Sequence, residues 1–332
     1  MRSFRKNGVF AALILLTVLF FGCLDLVLYP CTYTRNDVHT LATEPRDVLI
    51  MGTSTAKMGI DPDALLTGTG LSGHNAAAGG EYPEDAYYLL RLAAEKQKPK
   101  LLIFDVDTAY FTTEKEKGNN ALLFYHEFPL CRTKLAYFAD AVMDSDLRAL
   151  LFPSYEYPLR TTLSRAADSF SQKIRGDYDP AHLKGTTQEY HANGYIERYP
   201  VPPDQFPPVN PKFFSEEALL DENLRDLEKI ISFCRANNIM MVAISVPAPD
   251  GLTGLNPESF EAGWDYFADW LAAREVPFYN FNTDYYGLFP HDPLQFTDYE
   301  GHMNGDSARA YSAVLGKLLD GEGIWEAVRD TQ

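Results

Sequence analysis

Short apolar runs alternate along much of the chain with longer segments whose apolar residues recur at helical spacing. The runs of strand length cover residues 47–51, 101–106, 239–246 and 278–281. The helical segments cover residues 84–96, 215–237, 257–274 and 306–319. Because apolar strands that alternate with amphipathic helices form a parallel sheet covered on both faces, the pattern predicts an α/β domain over residues 47–322. Its site is expected at the carboxyl ends of the strands.

The alternation breaks between about residues 110 and 212. This stretch is rich in Tyr, Phe and Pro and lacks a regular strand and helix rhythm, so we interpret it as a helical and loop insertion into the α/β domain. Insertions of this kind form a wall or lid over a site, or simply extend the packing. Both interpretations stay open at the level of the sequence.

Residues 8–30 are apolar apart from Asp25 near the far end. The 22 residues from Gly8 to Tyr29 would span roughly 33 Å as a helix, which matches a hydrocarbon core of about 30 Å. Three basic residues lie in the preceding tail, residues 1–7, which is therefore expected to stay in the cytoplasm. The pattern predicts a single-pass cell membrane protein with a stalk over residues 31–46 and an extracytoplasmic domain.

A cleaved signal peptide and a lipoprotein signal ending at Cys23 are the alternatives to an uncleaved anchor. The apolar stretch is longer than a usual signal and lacks a small-residue cleavage site. Phe20 and Phe21 do not suit a lipoprotein signal before Gly22. The pattern therefore favours the anchor, and all three readings export the domain.

The formal net charge is −17, with a sequence pI of about 4.8. This argues against a nucleic-acid-binding protein, because affinity for phosphate backbones comes from clustered Lys and Arg. The four cysteines are scattered and form no Cys-x-x-Cys pair, so no zinc site is expected.

Two segments carry residues of a nucleophilic site. Ser54 follows the first strand, and Gly52 before it permits a tight turn in which backbone N–H groups approach a reacting oxygen. A serine hydroxyl needs an imidazole within hydrogen-bond reach and a carboxylate that orients the imidazole. Asp298 and His302, just before the last long helix, offer both. All three would converge at the carboxyl edge of the sheet.

Gly52-Thr53-Ser54, the stretch Asn75 to Gly80 and the Asp298/His302 loop together resemble the SGNH (GDSL-type) hydrolases. The resemblance implies a three-layer α/β/α, flavodoxin-like fold and a serine esterase or acyltransferase without a metal or organic cofactor. It implies that Ser54 is the nucleophile, His302 the base and Asp298 the orienting acid. It also implies an oxyanion hole formed by the N–H groups of Ser54 and of Gly79 or Gly80.

With the anchor, the arrangement is most similar to the exported DltD-like proteins, which accompany membrane-bound O-acyltransferases. This similarity implies an acylated envelope glycan or polymer as substrate, as in polysaccharide O-acetylation, and a membrane-bound O-acyltransferase as partner. The negative charge favours a neutral or zwitterionic glycan over a teichoic acid. The alternative is a non-catalytic SGNH-like scaffold for such an acyltransferase.

Three features depart from the family pattern. The family has Asp-x-x-His, whereas three residues lie between Asp298 and His302 (Asp-x-x-x-His), so either the loop bulges around Gly301 or Glu300 is the partner. The Gly-x-Asn-Asp block that donates a side-chain amide to the oxyanion is missing, and the strand at 101–106 is followed by Asp107. The family's Asp in the first block is replaced by Thr53.

Other residues are secondary candidates. Lys57 either lowers the serine pKa, binds an anionic substrate or is a solvated residue of a first helical turn. His291 is either a second acid/base group or a surface histidine. Asp105 and Asp107 resemble the start of the motif of a haloacid dehalogenase-type phosphatase, but Ala109 does not fit that motif. Capping of a loop is the simpler interpretation.

Overall fold

A central sheet organises the α/β part of the molecule. A computed structural model of the chain describes residues 2–115, 122–143 and 145–330. The strands are β1 (Val48–Met51), β2 (Gly73–Asn75), β3 (Leu101–Asp105), β4 (Gln188–Tyr190), β5 (Ile196–Arg198), β6 (Met240–Ser245) and β7 (Phe278–Asn280). Within the described residues, five strands pair in parallel in the order β2-β1-β3-β6-β7. This is the flavodoxin-like order, and it confirms the predicted α/β fold.

Helices precede, connect and follow these strands. They are α1 (Arg2–Leu28), α2 (Tyr33–Thr43), α3 (Ser54–Gly59), α4 (Pro62–Leu65), α5 (Pro83–Lys96), α6 (Arg132–Tyr137), α7 (Leu147–Leu151), α8 (Leu159–Arg175), α9 (Asp221–Ala236), α10 (Asp250–Thr253), α11 (Pro257–Ala272), α12 (Gly305–Gly321) and α13 (Ile324–Asp330). Helix α9 starts later than the spacing predicted, because Glu216–Ala218 form a separate 3₁₀ turn. Asp221 and Glu222 then occupy its first turn, where the helix dipole favours acidic groups.

The two faces of the sheet carry different helices. Val48 and Ile50 belong to one buried cluster with Tyr311 and Leu315 of α12. Because successive side chains of a strand point to opposite faces, Leu49 points the other way. Helices α5 and α9 pack against each other and contribute nothing to that first cluster. The sheet is thus flanked by helices on both faces.

The chain divides into two compact units. Unit 1 comprises residues 1–35 and 116–179, and unit 2 comprises residues 36–115 and 180–332, each within the described parts. The insertion expected over 110–212 is therefore not one body. Its middle groups with the N-terminal helix, while its last part, which includes the antiparallel β4–β5 hairpin, belongs to the α/β unit.

The segment expected to be an irregular stalk, residues 31–46, contains helix α2 instead. Val38 and Leu41 are buried, and so is Asp37. The sequence pattern missed this helix because its buried residues include polar ones, which disguise the period. Unit 2 accordingly begins before the first strand.

In unit 1, helix α1 contains a stretch, Asn7–Leu28, that is long and apolar enough to cross a membrane. Its 22 residues agree with the span expected from the sequence. Length and composition are the basis of this assignment, and the orientation stays a prediction.

Candidate active site

Ser54 is the first residue of α3, directly after the turn that ends β1. Gly52 in this turn has a φ of +138°. A Cβ at Gly52 would lie 2.7 Å from the Cβ of Asp105 at the end of β3. Only glycine fits this close approach and this φ, so the sequence places the serine at the carboxyl edge of the sheet.

A hydrogen-bonded chain joins the serine to the loop before α12. The Oγ atom of Ser54 lies 2.7 Å from Nε2 of His302, and Nδ1 of His302 lies 2.7 Å from Oδ2 of Asp298. The side chains of His302 and Asp298 are almost completely buried. With Nδ1–H donating to Asp298, Nε2 is free to accept the serine proton, which is the arrangement that activates a hydroxyl.

The partner of His302 in this geometry is Asp298. Glu300 Oε2 is 4.0 Å from Nδ1 of His302, and the Glu300 side chain is 64% exposed. The backbone N–H groups of Glu300 and His302 donate to Oδ1 of Asp298, and Gly301 between them has a φ of +96°. The loop therefore bulges around Gly301, which brings Asp298 to the imidazole despite the longer spacing.

Asp298 is held in its charged form. Burial of the carboxyl raises its pKa, but the hydrogen bond and charge of His302 and the nearby Arg198 outweigh burial, so the pKa lies below its usual value. The guanidinium of Arg198, on β5, is 3.5 Å from Oδ2 of Asp298. A charged carboxylate is what the imidazolium formed during proton transfer requires.

The stretch from Asn75 to Gly80 runs beside Ser54. The N–H of Ala76 donates to the carbonyl of Ile50, and the N–H of Ala78 donates to the carbonyl of Gly52. A Cβ at Gly79 would lie 3.6 Å from the Cβ of Ser54. This loop therefore places a glycine directly against the side chain of Ser54.

Tyr110 lies beside Gly80, the residue that follows Gly79 in this loop. Burial and the charge of Asp107 raise the pKa of its phenol. A hydrogen bond with the backbone of Gly80 lowers the pKa, but by less, so the pKa lies above its usual value. The hydroxyl thus stays protonated next to the loop that holds Gly79. Sequence reasoning missed Tyr110, since an aromatic residue in a Tyr-rich stretch carries no distinguishing signal.

The acidic residues after β3 support the turn that carries Ser54. Oδ2 of Asp107 accepts from the hydroxyl of Thr53 at 3.2 Å, and Oδ2 of Asp105 accepts from the hydroxyl of Thr55 at 2.8 Å. Burial raises the pKa of Asp105 to about 7 and raises that of Asp107 too. The side chain of Asp107 also accepts from the N–H of Ala109, which agrees with the loop-capping interpretation.

Lys57 does not face solvent. Its side chain is fully buried, with Nζ 2.7 Å from Oδ2 of Asp37 and 2.8 Å from the carbonyl of Asn75. His74 and Tyr190 both bond Oδ1 of the same carboxylate, at 2.9 and 2.8 Å. The expectation of a solvated lysine is wrong, because a carboxylate from α2, distant in sequence, compensates the buried charge.

His291 is buried rather than on the surface. Its Nδ1 is 2.7 Å from the carbonyl of Ala248, and its ring stacks on Tyr286 with the centroids 4.1 Å apart. These contacts tie together the loops that follow β6 and β7. The expectation of a surface histidine is therefore wrong.

A small cavity of about 80 Å³ lies next to the hydrogen-bonded chain. Thr55, Glu300 and Gly301, all sequence neighbours of Ser54 or His302, line it together with Phe260 and Trp264. Its lining does not include Ser54, His302 or Asp298, so it adjoins their loops and is not the space in front of the Ser54 hydroxyl.

No protein-family model matches this chain, and no curated protein matches it. Among solved structures, the chain is similar to a candidate acylhydrolase from Bacteroides fragilis NCTC 9343. The TM-score is 0.41 at 9% sequence identity, and the match covers 86% of this chain and 94% of that chain.

Proposed function

We propose that this chain is a membrane-anchored serine hydrolase of the SGNH type that cleaves or transfers acyl esters. The observation that carries the proposal is the continuous chain of hydrogen bonds from Ser54 through His302 to Asp298, with 2.7 Å at each step. A buried, charged aspartate that orients an imidazole toward a serine hydroxyl matches the requirements of acyl transfer.

In the proposed reaction, Oγ of Ser54 attacks the carbonyl carbon of an ester while Nε2 of His302 takes the hydroxyl proton. The tetrahedral oxyanion is held by the N–H groups of Ser54 and of Gly79 or Gly80. Collapse breaks the bond to the alcohol, which leaves with the proton from His302. Water or an acceptor hydroxyl then loses a proton to His302 and attacks the acyl-enzyme, and His302 returns that proton to Oγ of Ser54 as the bond between Oγ and the acyl carbon breaks.

The proposed substrate is an acyl ester on the outer side of the membrane. The apolar helix α1 supports an extracytoplasmic site tethered to the membrane, so that the ester is one of an envelope glycan or polymer. Transfer in partnership with a membrane-bound O-acyltransferase, as in the DltD-like proteins, is the finer form of this proposal.

The test uses the full-length chain in detergent, with a fluorophosphonate probe and p-nitrophenyl acetate. We expect labelling of the wild type, loss of labelling in Ser54→Ala, and loss of turnover in Ser54→Ala and His302→Ala. A substitution of Asp284, which is exposed, by Asn serves as the control.

Folded wild type that neither reacts with the probe nor turns over an ester would contradict the hydrolase proposal. That outcome would favour the non-catalytic scaffold for an acyltransferase. Labelling that persists in Ser54→Ala would assign the reactivity to another residue. Hydrolysis and transfer are then separated by adding an acceptor glycan and following acyl groups on it.

A further inference from the structure

Helix α8 of unit 1 buries polar residues and exposes its large apolar residues, which is the opposite of a helix packed on an apolar core. Its buried positions are the polar residues Thr162 and Ser169, and the hydroxyl of Ser169 accepts from the N–H of Cys31 at 3.1 Å. Its large apolar residues face outward. Leu159, Leu163, Phe170 and Ile174 are 65%, 60%, 40% and 62% exposed.

These four residues form one stripe. At 3.6 residues per turn, their positions fall within about 60° of one another around the helix. The exposed residues Ser164, Asp168 and Arg175 lie on a different, polar sector. A soluble protein rarely exposes a contiguous row of large apolar side chains, so this apolar stripe marks a contact surface.

The end of α8 is bonded to the end of the candidate membrane span. The Nζ atom of Lys173 donates to the carbonyls of Asp25 and Leu26 at 3.1 and 3.2 Å, and also to that of Tyr29. These carbonyls belong to the last turn of α1 and the residue after it, and that of Asp25 also accepts from the N–H of Tyr29. Lys173 thus fixes α8 at the level where the span ends.

The segment before α8 reaches further along α1. The rings of Phe152 and Phe21 are 3.9 Å apart, and the N–H of Ser154 donates to Asp25 at 3.0 Å. Phe21 precedes Leu28, the last residue of the span, by about 10 Å of helix. With α1 in a bilayer, Phe152 therefore lies below the level at which the span emerges. Leu147 and Leu151 of α7, shortly before it in sequence, are 64% and 47% exposed.

The charges of the chain are divided in a way that suits this placement. Residues 1–35 and 116–179 carry 12 Lys and Arg against 10 Asp and Glu, and 9 against 10 without the three basic residues of the tail before the span, whereas the rest carries 17 against 36. Beyond the span, unit 1 is therefore nearly neutral, and an anionic lipid surface repels it far less than it repels the rest of this acidic protein.

From these observations we infer that the apolar stripe of α8, with the exposed leucines of α7, is buried in the lipid interface of the membrane that α1 spans. Amphipathic helices of this kind lie in the headgroup and acyl boundary with the apolar face inward. Unit 1 is thus held by a span and by a helix lying on the bilayer. The inference rests on the membrane anchoring proposed for α1, and not on the ester chemistry.

The test places tryptophan reporters in the full-length chain, reconstituted in phosphatidylcholine and phosphatidylglycerol vesicles whose acyl chains carry bromine as quencher. Leu163→Trp reports on the stripe, and Ser164→Trp, one residue away on the polar sector, is the matched control. Leu15→Trp reports on α1. The native tryptophans, Trp264, Trp270 and Trp325, are subtracted with the parent chain.

We expect strong quenching of Leu15→Trp, and quenching of Leu163→Trp at least about threefold greater than that of Ser164→Trp. Equal, weak quenching at 163 and 164 with quenched Leu15→Trp would overturn the inference while the anchor stands. Blue-shifted but unquenched emission at 163 would overturn it in favour of a protein partner or a second copy. Unquenched Leu15→Trp would remove the anchor itself, while fluorophosphonate labelling of the same variants reports on the ester chemistry separately.

Discussion

Asp298 and Glu300 are both carboxylates on the loop that carries His302, but only one is placed to orient the imidazole. Asp298 is buried, accepts two backbone N–H groups and lies 2.7 Å from Nδ1, whereas Glu300 is largely exposed. The sequence alone left both open. The distinction depends on the positive φ of Gly301, which shifts the register of the loop by one residue.

We therefore expect Asp298→Asn to lower kcat for p-nitrophenyl acetate by about 10³- to 10⁴-fold, because the amide favours the wrong imidazole tautomer. Glu300→Gln should change kcat by less than about threefold, because an exposed side chain 4.0 Å away contributes little orientation. Ester turnover of both full-length variants in detergent checks this. A loss in Glu300→Gln as large as in Asp298→Asn would assign the orienting role to Glu300.

Asp105 gives the fold a pH dependence. Burial raises its pKa to about 7, well above the value in an unfolded chain. The folded state then binds the proton more tightly than the unfolded state, so stability is highest below the unfolded pKa and falls as pH rises toward 7. The neighbouring Asp107, whose pKa is also raised, contributes in the same direction.

We expect Asp105→Asn to flatten this dependence, because an amide cannot ionise. The melting temperature of the variant relative to wild type should rise by several degrees between pH 5 and pH 8, measured in detergent by circular dichroism. The exposed Asp284→Asn should follow the wild-type curve. Parallel curves for Asp105→Asn and wild type would show that Asp105 does not titrate in this range.

Four elements of unit 2 meet at one buried carboxylate. Asp37 of α2 bonds Lys57 of α3, His74 of β2 and Tyr190 of β4. Lys57 also bonds the carbonyl of Asn75, where the loop beside Ser54 begins. The network therefore fixes the helix that carries the nucleophile relative to the loop that faces it.

Removal of one partner of a buried ion pair leaves the other charge unpaired and costs about 3–5 kcal/mol. We expect Lys57→Met to lower the melting temperature strongly, and the double variant Lys57→Met with Asp37→Asn, whose side-chain oxygen can still accept from His74 and Tyr190, to recover part of the loss. Lys184→Met, which breaks the exposed pair with Glu189, should lower the melting temperature far less, because solvent screens that pair. Thermal melting of the three variants measures these effects. If the double variant recovers no stability, the loss in Lys57→Met does not come from leaving the Asp37 charge unpaired.

The elements of unit 2 also show which features can be predicted from the sequence and which cannot. β1, β3, β6 and the long helices α5, α9, α11 and α12 were predicted because their apolar residues repeat with a clear period. Ser54, Asp298 and His302 were found because few residue types can carry that chemistry. The buried Asp37 and Lys57 could not be predicted, since each is buried only because of the other, 20 positions away. The β4–β5 hairpin, with three residues per strand, is too short to show a period.

At the scale of the whole molecule, charge separates the two units. The residues of unit 2, which carry Ser54 and His302, have 17 Lys and Arg against 36 Asp and Glu. A surface with this balance repels anionic polymers over about a Debye length, which is near 10 Å at 0.1 M salt and near 30 Å at 0.01 M. Substrate choice should therefore depend on salt when the substrate is charged.

We expect kcat/KM for an O-acetylated polyanionic polymer to rise severalfold as salt increases from 10 to 150 mM, because screening weakens the repulsion that slows encounter. An O-acetylated neutral glycan should show little change over the same range, since it carries no charge to be repelled. Acetate release from both polymers, measured with the full-length chain in a non-ionic detergent, compares the two slopes. A fall in kcat/KM with salt for the polyanion would instead mean that Arg198, beside Asp298, attracts the substrate locally and overrides the net charge of the unit. In either case the neutral glycan is the matched control, because it shares the ester and the detergent but not the charge.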